Sequence, residues 1–136
     1  MKVFINYSPK DEALATELVA RLEAAGLDAW FAKREILPGD NWAEKTSEGL
    51  KESNAMVALL TTNSTESEAV QANLSYALGD KSFRHRLIPV VVGEWEDFAA
   101  HHIPWILKKL NPVSLRKNQP TDAGFNQIVQ ALKNAA

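Results

Sequence analysis

The sequence predicts an α/β domain: a parallel sheet with helices on both faces. Three observations predict it. The run Asn54-Ala55-Met56-Val57-Ala58-Leu59-Leu60-Thr61 is largely apolar yet too short for an ordinary helix, as expected of a strand buried on both faces at the centre of a sheet. It passes into the polar stretch Thr62-Asn63-Ser64-Thr65-Glu66-Ser67, rich in helix-capping residues, and then into a stripe of Val70, Leu74, Ala77 and Leu78 at helical spacing. Short apolar runs and helical stripes alternate along the rest of the chain, the pattern of successive strand–helix–strand units. Ligands of such sheets bind where strand ends meet helix starts, so the junction after the central strand is expected to form one wall of any site.

Each element has a local reason. Val3-Phe4-Ile5-Asn6-Tyr7 is the first strand. Ser8 can cap the next helix, Pro9 suits its first position, and Asp11 suits the positive end of its dipole. Leu14, Ala15, Leu18, Val19 and Leu22 give that helix one apolar stripe, and Gly26 ends it. Leu27-Asp28-Ala29-Trp30-Phe31 is the second strand, with both aromatics expected in the core. The stretch 32–40 reads as a loop with a Pro38-Gly39 turn. Asn41 and Glu44 have capping-box spacing for a helix that carries Ala43, Thr46 and Leu50. After the central strand and its helix, which Gly79 is expected to stop, 86–92 is a fourth strand. Its Pro89 must sit near the strand start, at a bulge or on an unpaired side. An acidic connection over 94–102, a helical turn near Trp105 and a short edge strand over 112–115 follow. The last helix starts near Asp122 and buries Phe125, Ile128, Val129 and Leu132.

The chain has 136 residues, 46% hydrophobic and 24% charged, enough for one domain with a real core. A formal charge of -2 gives nucleic-acid binding no support. The absence of cysteine excludes disulfides, thiolate metal sites and a cysteine nucleophile. With no signal-peptide organisation at the start and no run of membrane-spanning length, the expectation is a single cytoplasmic domain over 1–136, alone or cut from a longer chain, that does not engage a membrane.

Two stretches carry a resemblance. Val3-Phe4-Ile5-Asn6-Tyr7-Ser8 looks like the opening box of the Toll/interleukin-1 receptor (TIR) domain family in its bacterial form, usually Phe-Ile-Ser-Tyr-Ser. Gly26 to Phe31, followed by Arg34-Glu35-Ile36-Leu37-Pro38-Gly39-Asp40-Asn41-Trp42, looks like that family's second strand and the BB loop after it. The resemblance covers nearly the whole chain. It implies a flavodoxin-like three-layer fold with a five-stranded parallel sheet in the order 2-1-3-4-5, and strands near 3–7, 27–31, 54–61, 86–92 and 112–115.

It also implies one of two kinds of work. Many TIR domains are self-associating signalling adaptors. Others cleave NAD at the nicotinamide–ribose bond, giving nicotinamide and ADP-ribose or a cyclic variant. Their catalytic glutamate lies on the helix after the third strand, in a pattern like Ser-x-Trp-x-x-x-Glu-Leu. The matching stretch here is Ser67-Glu68-Ala69-Val70-Gln71-Ala72-Asn73-Leu74. Ala69 stands at the tryptophan position and Asn73 at the glutamate position. Ala32 stands where many bacterial members have aspartate.

Breaking an N-glycosidic bond to ribose builds positive charge on the sugar, which a carboxylate stabilises. Asn73 keeps the hydrogen-bonding capacity of that position without the charge; its bland reading is a helix-boundary amide. Glu68 is the candidate substitute carboxylate, but it points nearly half a helical circuit away from Asn73. The resemblance places Tyr7, Ser8, Lys10, Trp42 and Ser67 near a nucleotide, against ordinary readings of Ser8 as an N-cap and Trp42 as packing. Arg34, Glu35, Ile36, Leu37, Pro38, Gly39 and Asp40 form the candidate interaction loop, with Ile36 and Leu37 alternatively folded back onto the domain and Arg34 and Glu35 a solvated tip.

Other chemistries lack their residues. His85, His101 and His102 do not have metal-ligand spacing, and no metal is expected. There is no Walker loop or GxGxxG. A phosphoacceptor aspartate is missing at the end of the third strand, where Thr61 stands, and no nucleophile elbow occurs. The leading expectation is a TIR-type interaction or NAD-sensing module with weak or absent NAD cleavage, requiring no cofactor and self-associating or meeting another TIR domain through the BB loop. The runner-up is an NAD glycohydrolase.

Overall fold

The structure, a computed structural model, describes residues 1–83, 86–98, 104–110, 112–116 and 122–135. Five strands, β1 (Lys2–Asn6), β2 (Asp28–Trp30), β3 (Ala55–Leu60), β4 (Leu87–Val92) and β5 (Val113–Leu115), form one sheet in the order β2-β1-β3-β4-β5. Every pairing is parallel, with Phe4 opposite both Trp30 and Met56, Met56 opposite Leu87, and Val90 opposite Val113. This is the flavodoxin-like architecture, and each strand lies within a residue or so of its expected span.

All of β3 is buried, because helices cover both faces of the sheet. On one face α1 (Glu12–Ala24) and α5 (Asp122–Ala135) enclose Val3, Ile5, Val57, Leu59 and Val90 with Leu18, Leu22, Phe125 and Ile128. Arg21 ties these helices together: it pairs with Asp122 at 2.7 Å and lies over the Phe125 ring at 4.8 Å. On the other face α3 (Trp42–Glu52) and α4 (Glu68–Gly79) cover Phe4, Trp30, Met56, Ala58, Leu60 and Val91 with Leu50, Leu74 and Ala77.

Pro89 lies inside β4, in register with Ala58. Met56 N–H donates to the Arg86 carbonyl at 2.9 Å and Gly93 N–H to the Leu115 carbonyl at 3.0 Å. Even-numbered residues of β4 therefore face β3 and odd-numbered ones face β5. The missing N–H of Pro89 falls on the β5 side, ahead of the first paired residue of that strand, where it breaks no ladder bond.

Several local expectations are corrected. The helix after β1 starts with a tight 3-10 turn, Pro9–Asp11, capped by Ser8, before α1 begins. Residues expected as plain loop contain a one-turn helix, α2 (Ala32–Glu35). Gly26 has φ 86 and ends α1 as expected, but Gly79 is the last helical residue of α4, has no positive φ, and the chain leaves the helix through an extended Asp80. Leu78 and Ala43 face solvent rather than the core, because the inward stripes run through Val70, Leu74 and Ala77 on α4 and through Thr46, Gly49 and Leu50 on α3. The turn near Trp105 is a 3-10 helix, Trp105–Lys109. His85, His101, His102 and part of the acidic connection lie outside the described residues.

Candidate functional site

With this strand order, the chain leaves β1 toward β2 on one side and returns to β3 on the other, so the C-terminal ends of β1 and β3 border the crevice where α/β sheets bind ligands. Two loops are latched across it. The Thr61 hydroxyl donates to Asp11 Oδ2 at 2.6 Å and Asn63 Nδ2 to Asp11 Oδ1 at 2.8 Å. Thr61 Oγ1 also accepts from the backbone of Asn63 and Ser64, so the loop after β3 is held as a tight turn.

Beside the latch, β1 ends in Asn6, a fully buried amide. Its Nδ2 donates to the Val70 carbonyl at 3.1 Å, fastening β1 to α4, with Met56 Sδ 3.8 Å away. From α4, Asn73 Nδ2 reaches Asn6 Oδ1 at 3.5 Å, a long and weak bond. A small pocket of about 40 Å³ lies here, lined by Phe4, Asn6, Tyr7, Trp42, Thr46 and Asn73 together with Ile5, Pro9, Trp30 and Ala32. Thr46 is 7% exposed, and its hydroxyl has no hydrogen-bond partner. Burial, and after it the negative charge of Glu12, raises the Tyr7 phenol pKa, against a backbone hydrogen bond with Lys33, so Tyr7 meets the pocket as a neutral hydroxyl. A larger cleft of about 690 Å³ opens near the start of β4, lined by Leu87, Ile88, Leu110, Asp80, Lys81 and Lys109 among others. It contains none of the candidate site residues.

Of the candidates, the structure brings Tyr7, Trp42 and Asn73 together. Ser8 is buried and accepts from Lys10 N–H at 3.3 Å, as a turn cap, while Lys10 itself is exposed. Ser67 caps α4 by accepting from Val70 N–H at 3.3 Å. Glu68, in the first turn of α4, is exposed and does not line the pocket. Sequence reasoning missed Asn6 and Thr46 as site residues. The available signal was a polar residue interrupting an apolar pattern: Asn6 after Val3-Phe4-Ile5, and Thr46 in the inward stripe of α3.

The loop after β2 divides into an anchored root and an exposed tip. Arg34 is exposed, as expected, but anchored: its guanidinium donates to both Glu23 carboxylate oxygens at 2.9 and 2.8 Å and to the Ala29 carbonyl at 3.2 Å. Ile36 packs onto the core face around Trp30 and Leu50, whereas Leu37 is 60% exposed, Pro38 and Gly39 are also exposed, and Glu35 stays in solvent. Leu37 N–H donates to Asp40 Oδ2 at 2.8 Å, which holds the tip as a turn, and Gly39 takes φ 92 within it.

The Arg34 hydrogen bond, opposed by desolvation and helped by the Arg34 charge, holds the Glu23 carboxyl below its usual value of 4.5. A depressed carboxylate stabilises the folded loop above that usual value and loses the contribution as pH falls through its own lower one. Glu23 is 38% exposed, so solvent screening keeps the effect under about 1 kcal/mol. Corrected for the intrinsic exchange rate, hydrogen-exchange protection at 34–37 is expected to weaken as pH falls below 4.5, and Glu23→Gln is expected to remove most of that pH dependence.

Among the described residues, no helix is long and apolar enough to cross a membrane, and no three His, Cys, Asp or Glu side chains are grouped to hold a metal ion. The chain is 28% identical over 110 residues to the NAD(+) hydrolase PdTIR of Paracoccus denitrificans, a match over 79% of this chain but only 37% of that relative. In fold it resembles the TIR domain of the Toll-related receptor TRR-2 of Hydra magnipapillata, with TM-score 0.67, 23% identity and 82% of each chain covered. It also resembles a TIR-STING receptor of C. gigas solved with 2',3'-cGAMP, with TM-score 0.77, 22% identity, and coverage of 96% of this chain and 38% of that one. The family model described as TIR domain matches residues 3–129, and the chain belongs to the TIR domain family.

Proposed function

We propose that this TIR domain is an interaction module that senses NAD-like nucleotides at the pocket beside Asn6 and Asn73, with weak or absent NAD cleavage. The observation that carries the reading is the pocket's chemistry. Among its described lining residues are aromatic rings, two amides, a threonine hydroxyl and a neutral phenol, but no carboxylate. Such walls can bind an uncharged part of a nucleotide and offer nothing to stabilise an oxocarbenium-like sugar. On this reading Asn73 occupies the family's glutamate position. Calorimetry with NAD, run beside an assay for nicotinamide release, tests it: binding with little turnover is expected, and fast turnover would overturn it.

One finding favours a second reading. The Paracoccus relative is an NAD(+) hydrolase, and Glu68 is a carboxylate on the same helix as Asn73. Cleavage by a shifted carboxylate would then be lost in Glu68→Gln and retained in Asn73→Ala.

The interaction half of the proposal rests on Leu37 and Pro38. An apolar tip exposed at the end of an anchored loop suits docking to a different surface of another TIR domain, a second copy included, in a heterologous arrangement. Sedimentation is expected to show concentration-dependent assembly, weakened about tenfold by Leu37→Glu and less by Pro38→Ala. Monomeric wild type at high concentration, with and without NAD, would refute it.

A further inference from the structure

We infer that Thr46 is the hydrogen-bonding contact by which the small pocket recognises its ligand, and that the group it recognises is uncharged: a carboxamide or a ribose hydroxyl of a pyridine nucleotide. The assignment rests on the nucleotide-binding part of the proposed function and adds to it a residue on α3, a helix to which the sequence motifs assign no polar ligand contact.

The first argument is the state of the hydroxyl. Thr46 Oγ1 is sealed from solvent and has neither a backbone nor a side-chain partner. A threonine inside a helix ordinarily turns its hydroxyl onto the carbonyl one turn back or out to water. Leaving it unmet is unfavourable, and a ligand acceptor that meets it recovers that loss as affinity.

The second argument is position. Thr46 lines the same pocket as Asn73 and Trp42, and its neighbours there include Asn6 and Tyr7. Asn73 is held to Asn6 only by the 3.5 Å contact, so its amide is free to exchange that partner for a ligand.

The third argument is size and charge. A space of about 40 Å³ holds little more than one water-sized group, not an aromatic ring. What enters is the tip of a larger ligand whose ring or sugar remains outside, beside the half-exposed Trp42. A charged tip is disfavoured, since no opposite charge lines the pocket among the described residues.

The test titrates NAD, nicotinamide and ADP-ribose into wild type, Thr46→Val and Thr46→Ser, and records the melting temperature of each protein. Valine keeps the shape and removes the unmet hydroxyl, so Thr46→Val is expected to melt about 2–5 °C higher than wild type while binding NAD about tenfold more weakly. Thr46→Ser is expected to bind within about threefold of wild type. Loss confined to nicotinamide identifies the carboxamide as the group recognised; loss confined to ADP-ribose identifies a ribose hydroxyl. Wild-type affinity in Thr46→Val, or a lowered melting temperature, overturns the assignment of Thr46 and leaves the nucleotide reading standing. No binding of any of the three by wild type removes both.

Discussion

Gly49→Ala is expected to destabilise the protein by about 2–3 kcal/mol, although alanine is the better helix former by about 1 kcal/mol. A Cβ at Gly49 would overlap Trp30 Cε2 and lie 2.5 Å from Cδ2 and 2.7 Å from Cζ2. The indole has little room to retreat, because it is also stacked on Phe4 with ring centroids 4.9 Å apart and planes 6° from parallel. Phe4, Trp30 and Gly49 thus form a close-packed stack that joins β1, β2 and α3 beneath the candidate pocket, which both aromatic rings also line. Displacing Trp30 would shift the pocket wall, so Gly49→Ala is also expected to weaken any ligand binding there. Gly79→Ala is the control: nothing lies within 4 Å of a Cβ at that position and its φ is not positive, so the change is expected to be neutral or stabilising by up to about 1 kcal/mol. Thermal unfolding of the two variants measures both. Equal stability of Gly49→Ala and wild type would show that α3 can move off Trp30 without loss.

The fold was readable because its central strands are buried on both faces. Residues 54–61 and 86–92 are largely apolar runs too short for an ordinary helix, and the parallel order follows from the strand–helix alternation together with the family resemblance. The local misreadings have physical causes. Ala32-Lys33-Arg34-Glu35 is too short to show helical periodicity, and the Pro38-Gly39 signal dominates the stretch; the turn forms because Glu35 and Ile36 N–H groups find the Phe31 and Ala32 carbonyls at 3.1 and 2.9 Å. Gly79 looked like a left-handed cap, yet Asp80 leaves α4 in an extended conformation and then accepts from Ser82 N–H at 2.7 Å to start the next turn.

The site was readable only in part, because its contacts join residues distant in sequence. The Arg34–Glu23 pair spans 11 positions and two elements, and nothing in the loop's own residues names Glu23 as the partner. Asn6 meets Val70 across 64 positions and Asn73 across 67. Motif spacing could place Asn73 on the helix after the third strand, but not its bond to Asn6. Ser8 and Ser67 illustrate the converse. Both stand in stretches that suggested nucleotide contact, and in the structure both accept backbone hydrogen bonds as caps.

Nicotinamide release from NAD by the wild-type protein is expected to be slow, and Asn73→Glu is expected to raise it by about 10²–10³-fold. Under the proposed assignment, Asn73 stands where the family's enzymes carry the glutamate that stabilises positive charge on the ribose. In this chain the Asn73 amide makes only a 3.5 Å contact with Asn6, and no carboxylate is among the described pocket residues. A glutamate at 73 is one methylene longer, enters beside neutral amides, and loses little by giving up the Asn6 contact. Asn73→Gln is the decisive control, since it supplies the same length and no charge. A gain in Asn73→Glu but not in Asn73→Gln assigns the effect to the carboxylate. A gain of similar size in both assigns it to reach, and the electrostatic argument fails. Under the same proposed assignment Ala69, exposed one turn earlier on α4, occupies the family's tryptophan position, so Ala69→Trp combined with Asn73→Glu is expected to exceed Asn73→Glu alone. If wild type already turns over NAD quickly, survives Asn73→Ala and is silenced by Glu68→Gln, the catalytic carboxylate is Glu68 and the protein is an NAD glycohydrolase.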